Sequence, residues 1–173
     1  MGKRIAESRG KILWLLRVAF CLYLLGLCYA MFLSERYGRA GGIGTYSYNL
    51  HPFQEIRRYF SYRNSLSPEA FFINTYGNIL AFIPFGFLVP VISRRENRHF
   101  LQVFGWCLAF TLLIEVVQLF WQVGCFDVDD MILNMAGGIL GYLGYLFAHT
   151  VWERITGKGG SHETTRHDHS AQK

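Results

Sequence analysis

The sequence predicts an all-α membrane protein: four transmembrane helices, with a short amphipathic helix, interfacial or re-entrant, in the loop after the first. Three observations predict it. Half of the residues are hydrophobic and only 17% are charged, well below what a soluble surface requires. The charges crowd into short blocks, which leaves apolar runs at 12–33, 71–92, 100–123 and 131–152. About 20 helical residues cross the hydrocarbon of a bilayer, and a soluble domain of 173 residues could not cover four helices of that kind. The chain divides into a basic N-terminal stretch (1–11), one membrane domain (12–152) and a polar, non-periodic tail (153–173) that reads as disordered.

Lys3, Arg4, Arg9 and Lys11 precede the first run. That run exceeds the core of a signal peptide, and the small-residue pattern ending at Ala30 is a poor cleavage site, so it reads as a retained span. Arg17, early within it, is expected to extend its guanidinium to the head groups. The loop at 34–75 opens with flexible GRAGGIG and continues to NLHPFQEIRRYF. In the latter, Phe53, Ile56, Tyr59 and Phe60 recur at helical spacing, with Gln54, Glu55, Arg57 and Arg58 opposite, the pattern of a helix lying in the interface. Arg57, Arg58 and Arg63 fall where anionic head groups would be met.

The second run carries Pro84 and Pro90, each of which removes a backbone donor and bends a helix. The fourth holds Gly137, Gly141 and Gly144 beside Gly138. Gly137 and Gly141 form a small-xxx-small pair that lets another helix approach, either within the chain or in a homodimer.

The net charge of +5 is a topology signal and does not point to nucleic acid. Arg94, Arg95 and Arg98 fill the link between the second and third runs, and Arg154 and Lys158 follow the fourth, whereas 124–130 has three aspartates and no base. Positive segments stay cytoplasmic, so both termini are expected inside, with 34–75 and 124–130 outside. Cys21, Cys28, Cys107 and Cys125 match neither a metal spacing nor a disulfide framework. His162, His167 and His169 read as part of a solvated tail.

Between the third and fourth runs, IEVVQLFWQVGCFDVDDMILN places acids and amides where lipid-facing groups would cost several kcal/mol. At about 1.5 Å per residue, Gln118 lies roughly 7 Å and Glu115 roughly 12 Å below the outer rim, and Asn134 about 10 Å below it. Glu115 and Gln118 are three residues apart, and Asp127, Asp130 and Asn134 follow at helical intervals. Asn74 and Asn78 sit near the outer end of the second run. Two arrangements fit. These groups line one outward-facing acidic pocket, or Glu115 fastens helices through Gln118 or Asn78 while Asp127 caps the fourth helix.

The same positions carry a family resemblance. NLHPFQEI (49–56), GNILAFIPFGFLVP (77–90), IEVVQ (114–118) and FDVDDMILNMAGGILGY (126–142) make the chain similar to the VanZ-like family of small bacterial membrane proteins over roughly 12–150. The chain departs from the family pattern at His51 and near Cys125. The resemblance maps family-typical polar positions onto Asn78, Glu115, Gln118, Asp127, Asp130 and Asn134. It implies a bacterial cytoplasmic membrane location and, through the namesake, a link to teicoplanin resistance, while leaving any reaction open.

Three functions follow as expectations. The first is a non-enzymatic envelope factor that binds membrane lipids and an amphipathic ligand, such as a lipid-linked wall precursor or a lipoglycopeptide. The second is an intramembrane enzyme in which Glu115 is the base and Asp127 and Asp130 hold a divalent cation; otherwise no cofactor is expected. The third is a structural or partner-binding subunit. Transport fits least, because no inverted repeat is present.

Overall fold

The computed structural model describes residues 2–38, 46–62, 68–93, 99–122 and 124–156. Along the chain these form α1 (Gly2–Gly38), β1 (Ser47–Asn49), α2 (Gln54–Ser61), α3 (Pro68–Ile92), α4 (Phe100–Trp121), β2 (Cys125–Asp127) and α5 (Val128–Thr156). Helices α1, α3, α4 and α5 are each long and apolar enough to cross a membrane, so the protein is a multi-pass, predominantly α-helical membrane protein. Four crossings bring the start of α1 and the end of α5 to one end of the bundle, here the terminal end. The elements α2, β1 and β2 lie at the other, the cap end.

The helices run past the predicted spans. α1 takes in the basic stretch before residue 12 and continues to Gly38, while α5 begins at Val128 and ends at Thr156. Arg63, most of GRAGGIG, the Arg94–Arg98 link and the tail from 157 lie outside the described residues.

Lipid tails are as apolar as leucine, so close backbone approach and interhelical hydrogen bonds must hold such a bundle together. The α3–α5 pair is its centre. A Cβ added to Gly137 would lie 2.2 Å from the Ile79 carbonyl oxygen, and one on Gly141 would lie 2.0 Å from that of Ile83. Gly86 meets Gly138 in the same way, at 1.9 Å from its carbonyl oxygen. Residue numbers rise together on both helices, so α3 and α5 run parallel and their backbones touch. The face read as a possible dimer contact is therefore filled by α3 of the same chain at Gly137 and Gly141. Gly144 stands farther out, where a Cβ would make ordinary contact with the Phe87 ring. Gly138 faces α4, where the Cys107 sulfur fills the space a Cβ would need.

α1 packs more loosely and is joined to the bundle by polar contacts at three heights. Near the cap end, Gln118 Nε2 donates to the Met31 carbonyl at 3.4 Å. Midway, the Tyr23 hydroxyl donates to the Ala81 carbonyl, three residues before Pro84. Ala81 is next to Leu80, whose carbonyl is the one that Pro84, lacking an N–H, leaves without its helical donor. At the terminal end, the Arg17 guanidinium donates to the Ile92 carbonyl at 3.3 Å, so the expected snorkelling arginine is held by the last turn of α3.

Replacing Gly141 by alanine should lower the stability of the bundle by at least about 2 kcal/mol, as overpacking against immovable backbone does. Gly105→Ala, where nothing lies within 4 Å of the new Cβ, should not. Thermal unfolding in detergent distinguishes them. Equal melting temperatures would mean that α3 and α5 do not meet in this register.

Candidate functional site

At the cap end the chain leaves the helices, and each freed backbone N–H needs an acceptor. Carboxylates provide several. Glu115, on α4 and 2% exposed, accepts the Asp127 N–H at 2.8 Å. Asp127 in turn accepts the Asp129 N–H at 2.8 Å through Oδ1, which makes it the N-cap of α5. The same oxygen accepts Asn49 Nδ2 at 3.0 Å. Between them, β1 and β2 form a parallel ladder that pairs Ser47 with Cys125, Tyr48 with Phe126 and Asn49 with Asp127. This ladder joins the loop after α1 to the turn before α5.

Asp129 completes the arrangement. Its carboxylate, 1% exposed, accepts the N–H groups of Phe53, Glu55 (2.7 Å) and Ile56 (3.1 Å) at the start of α2. Phe53 holds φ at 66°, a left-handed backbone that costs a non-glycine residue about 1–2 kcal/mol. That twist turns successive N–H groups towards one point, where three charge-assisted hydrogen bonds offset its cost. No local sequence motif marks these partners, because they are backbone groups 73 to 76 residues away. The available signal was the DVDD stretch, whose three aspartates are more acid than one helix cap uses.

One layer deeper is a neutral cluster. Asn134 is fully buried, and its Nδ2 donates to Thr111 Oγ1 on α4 at 2.8 Å. Asn134 lies one turn before Gly137, while Thr75 and Asn78 lie one turn before the Ile79 and Phe82 atoms that Gly137 meets. The parallel register thus sets Thr75 and Asn78 level with Asn134. Thr75 Oγ1, Asn78 Nδ2 and Asn134 Oδ1 are all buried and make no hydrogen bond within the described protein.

Of the six residues predicted to line a pocket, Glu115 and Asp127 meet in the carboxylate layer. Asn78 and Asn134 lie at one level below it. Asp130, 9% exposed, occupies the turn of α5 between the two. Gln118 turns away to α1, although it shares a helical face with Glu115. All six are at most 9% exposed, so the acids are enclosed where the sequence suggested a surface open to the outer side. Asn49, Thr75, Thr111 and Asp129 belong to the same assembly and were not singled out in the sequence. Among the described residues, no group of three or more His, Cys, Asp or Glu is placed to share a metal ion, including the candidates Asp127 and Asp130. Arg57 and Arg58 are both exposed, and Arg58 is held by Glu55 at 2.7 Å and sits 5.6 Å over the Tyr59 ring.

Fold and site together define a four-span membrane protein whose buried carboxylates fasten a small cap over a polar layer within the helices. The VanZ/LLP1 family profile matches residues 20–149, three-quarters of the chain, and the protein belongs to that family. It is similar to Protein VanZ of Enterococcus faecium, with 38% identity over 64 residues. That stretch covers 37% of this chain and 38% of that relative, so well under half of either is compared. No solved structure matches the chain.

Asp129→Asn puts an amide donor against backbone donors. It should weaken the anchoring of α2 by about 2 kcal/mol, which is close to a 30-fold loss of protection. Hydrogen exchange at the amides of Phe53, Glu55 and Ile56 should accelerate to that extent, while amides in the middle of α4 stay unchanged.

Proposed function

We propose that the protein is a non-enzymatic factor of the bacterial cytoplasmic membrane, with both termini cytoplasmic and the cap outside. In this reading it binds the polar part of an amphipathic ligand in the layer formed by Thr75, Asn78 and Asn134. The ligand class is a lipid-linked cell-wall precursor or an acyl-bearing glycopeptide of the teicoplanin type, and binding alters susceptibility to such drugs. Family membership supports the link to glycopeptides. The basic residues around 11, 94–98 and 154 support the orientation.

The observation that carries the reading is the set of unsatisfied atoms. A buried polar group without a partner costs about 1–3 kcal/mol, yet here an amide donor, an amide oxygen and a hydroxyl share one level. A ligand hydroxyl can accept from Asn78 and donate to Asn134. The enclosing cap is held by a few polar contacts that can part to admit a head group, and the exposed Arg57 beside it suits an anionic ligand. The carboxylates favour binding over acid–base chemistry, since those of Glu115, Asp127 and Asp129 already serve as acceptors for backbone N–H groups.

Asn78→Leu separates function from folding. It removes the unsatisfied donor with the same number and branching of side-chain heavy atoms, so the melting temperature should hold or rise, by an equivalent of about 1 kcal/mol. The change in teicoplanin susceptibility that the unaltered protein confers on a susceptible host should disappear, with drug and wall precursor chemically intact by mass spectrometry. A folded Asn78→Leu protein with full effect would rule out the polar layer as the binding site. A modified drug or precursor would point to an enzyme.

A further inference from the structure

A second site lies towards the terminal end, between α1, α3 and α4. Because α1 touches the bundle at few points, a groove of about 380 Å³ remains beside it. Its walls include Phe20 and Leu24 of α1, Phe85 and Val89 of α3, and Trp106 and Phe110 of α4. The aromatic floor is ordered: the Phe85 and Phe110 rings stack at 5.2 Å, and Phe20 lies 5.7 Å from Phe85. Phe85 to Ile92 on α3 and Trp106 to Leu113 on α4 are each seven residues apart, so the groove extends about 10 Å along the helices. Ile92 is part of its lining and is also the residue whose carbonyl receives Arg17.

Arg17 sits seven residues inside a candidate span that starts at Gly10. A guanidinium has five N–H donors, and the Ile92 carbonyl takes one. Among the described residues Arg17 forms no ion pair with a carboxylate. A permanent charge at membrane depth needs an anionic or strongly polar partner. Next to it runs a groove lined by apolar side chains, as a hydrocarbon chain requires.

We infer that this groove is a selective site for an anionic phospholipid of the leaflet at the terminal end, with its phosphate on Arg17 and one acyl chain along Phe20, Phe85, Trp106 and Phe110. The site opens beside α1 and runs from mid-bundle towards the terminal end, on other side chains than the polar layer, and does not depend on the function proposed for that layer. The bound lipid fills the gap behind α1 and neutralises Arg17. Both roles make it a structural ligand that sets how firmly α1 is held.

The test uses the full chain with Trp14, Trp121 and Trp152 changed to phenylalanine, leaving Trp106 as the reporter. It is reconstituted in vesicles of phosphatidylcholine and phosphatidylglycerol, with one or the other brominated on its acyl chains. Brominated phosphatidylglycerol should reach half-maximal quenching at an about five-fold lower mole fraction than brominated phosphatidylcholine, the preference one surface cation typically confers. Arg17→Gln should abolish the preference and Arg17→Lys should retain most of it. Ala109→Phe, which fills the groove from its α4 wall, should reduce quenching by both lipids. Equal quenching by the two lipids in the protein with Arg17 intact would overturn the inference. So would undiminished quenching by both lipids in Ala109→Phe, and neither result depends on the Arg17 variants folding.

Discussion

Backbone N–H groups that leave a helix near a membrane must find acceptors within the protein, and the cap of this bundle is built around that constraint. Asp129 gathers three of them from the start of α2. Asp127 closes the first turn of α5 and holds Asn49, while Glu115 reaches across from α4 to the Asp127 N–H. Without these acceptors, β1, β2 and α2 would have no fixed place over the helices. The acids thus have an architectural role before any functional one, and a single substitution among them is expected to loosen a segment without unfolding the spans.

The second constraint is contact between α3 and α5. Gly86, Gly137 and Gly141 let the two backbones touch, and in a membrane this contact takes the place of the hydrophobic drive that holds soluble helices together. It also sets the height of every side chain on the two helices. Asn134 stands level with Thr75 and Asn78 because Gly137 stands against Ile79. Chemistry in the polar layer therefore depends on glycines one turn away that carry no chemistry themselves.

Much of this was legible in the sequence. Four apolar runs specify four spans, and the spacing of Ile56, Tyr59 and Phe60 specifies α2, because burial and amphipathicity leave periodic signals, whereas Phe53, read as part of the same helix, stands just before it in a left-handed turn. The family assignment read from four motifs is borne out by the profile match. The pairing of β1 with β2 was not legible: three-residue strands 78 positions apart, parallel and joined through two transmembrane helices, leave no local pattern. Asp129 was passed over for a related reason, since its partners are main-chain groups that any sequence supplies. Gln118 shows the limit of face arguments. Three residues turn a helix by about 300°, so Gln118 stays near the Glu115 face but is offset enough to meet α1. Arg17 looked like a residue bound for the head groups, and only the neighbouring end of α3 shows what holds it.

The polar layer and the lipid groove use different side chains of a bundle whose rigidity comes from α3 and α5, and only the first is covered by the carboxylate-held cap. That cap is fixed through Asp129, and a backbone substitution tests this most directly. Replacing the Ile56 amide by an ester deletes a single N–H, one that has no partner within α2 because it lies in the first turn. The account predicts a loss of about 2 kcal/mol in the native chain and almost none once Asp129 is already asparagine, a strong coupling between the two sites. Equal losses in both backgrounds would show that Asp129 does not hold α2, and the central claim would fail.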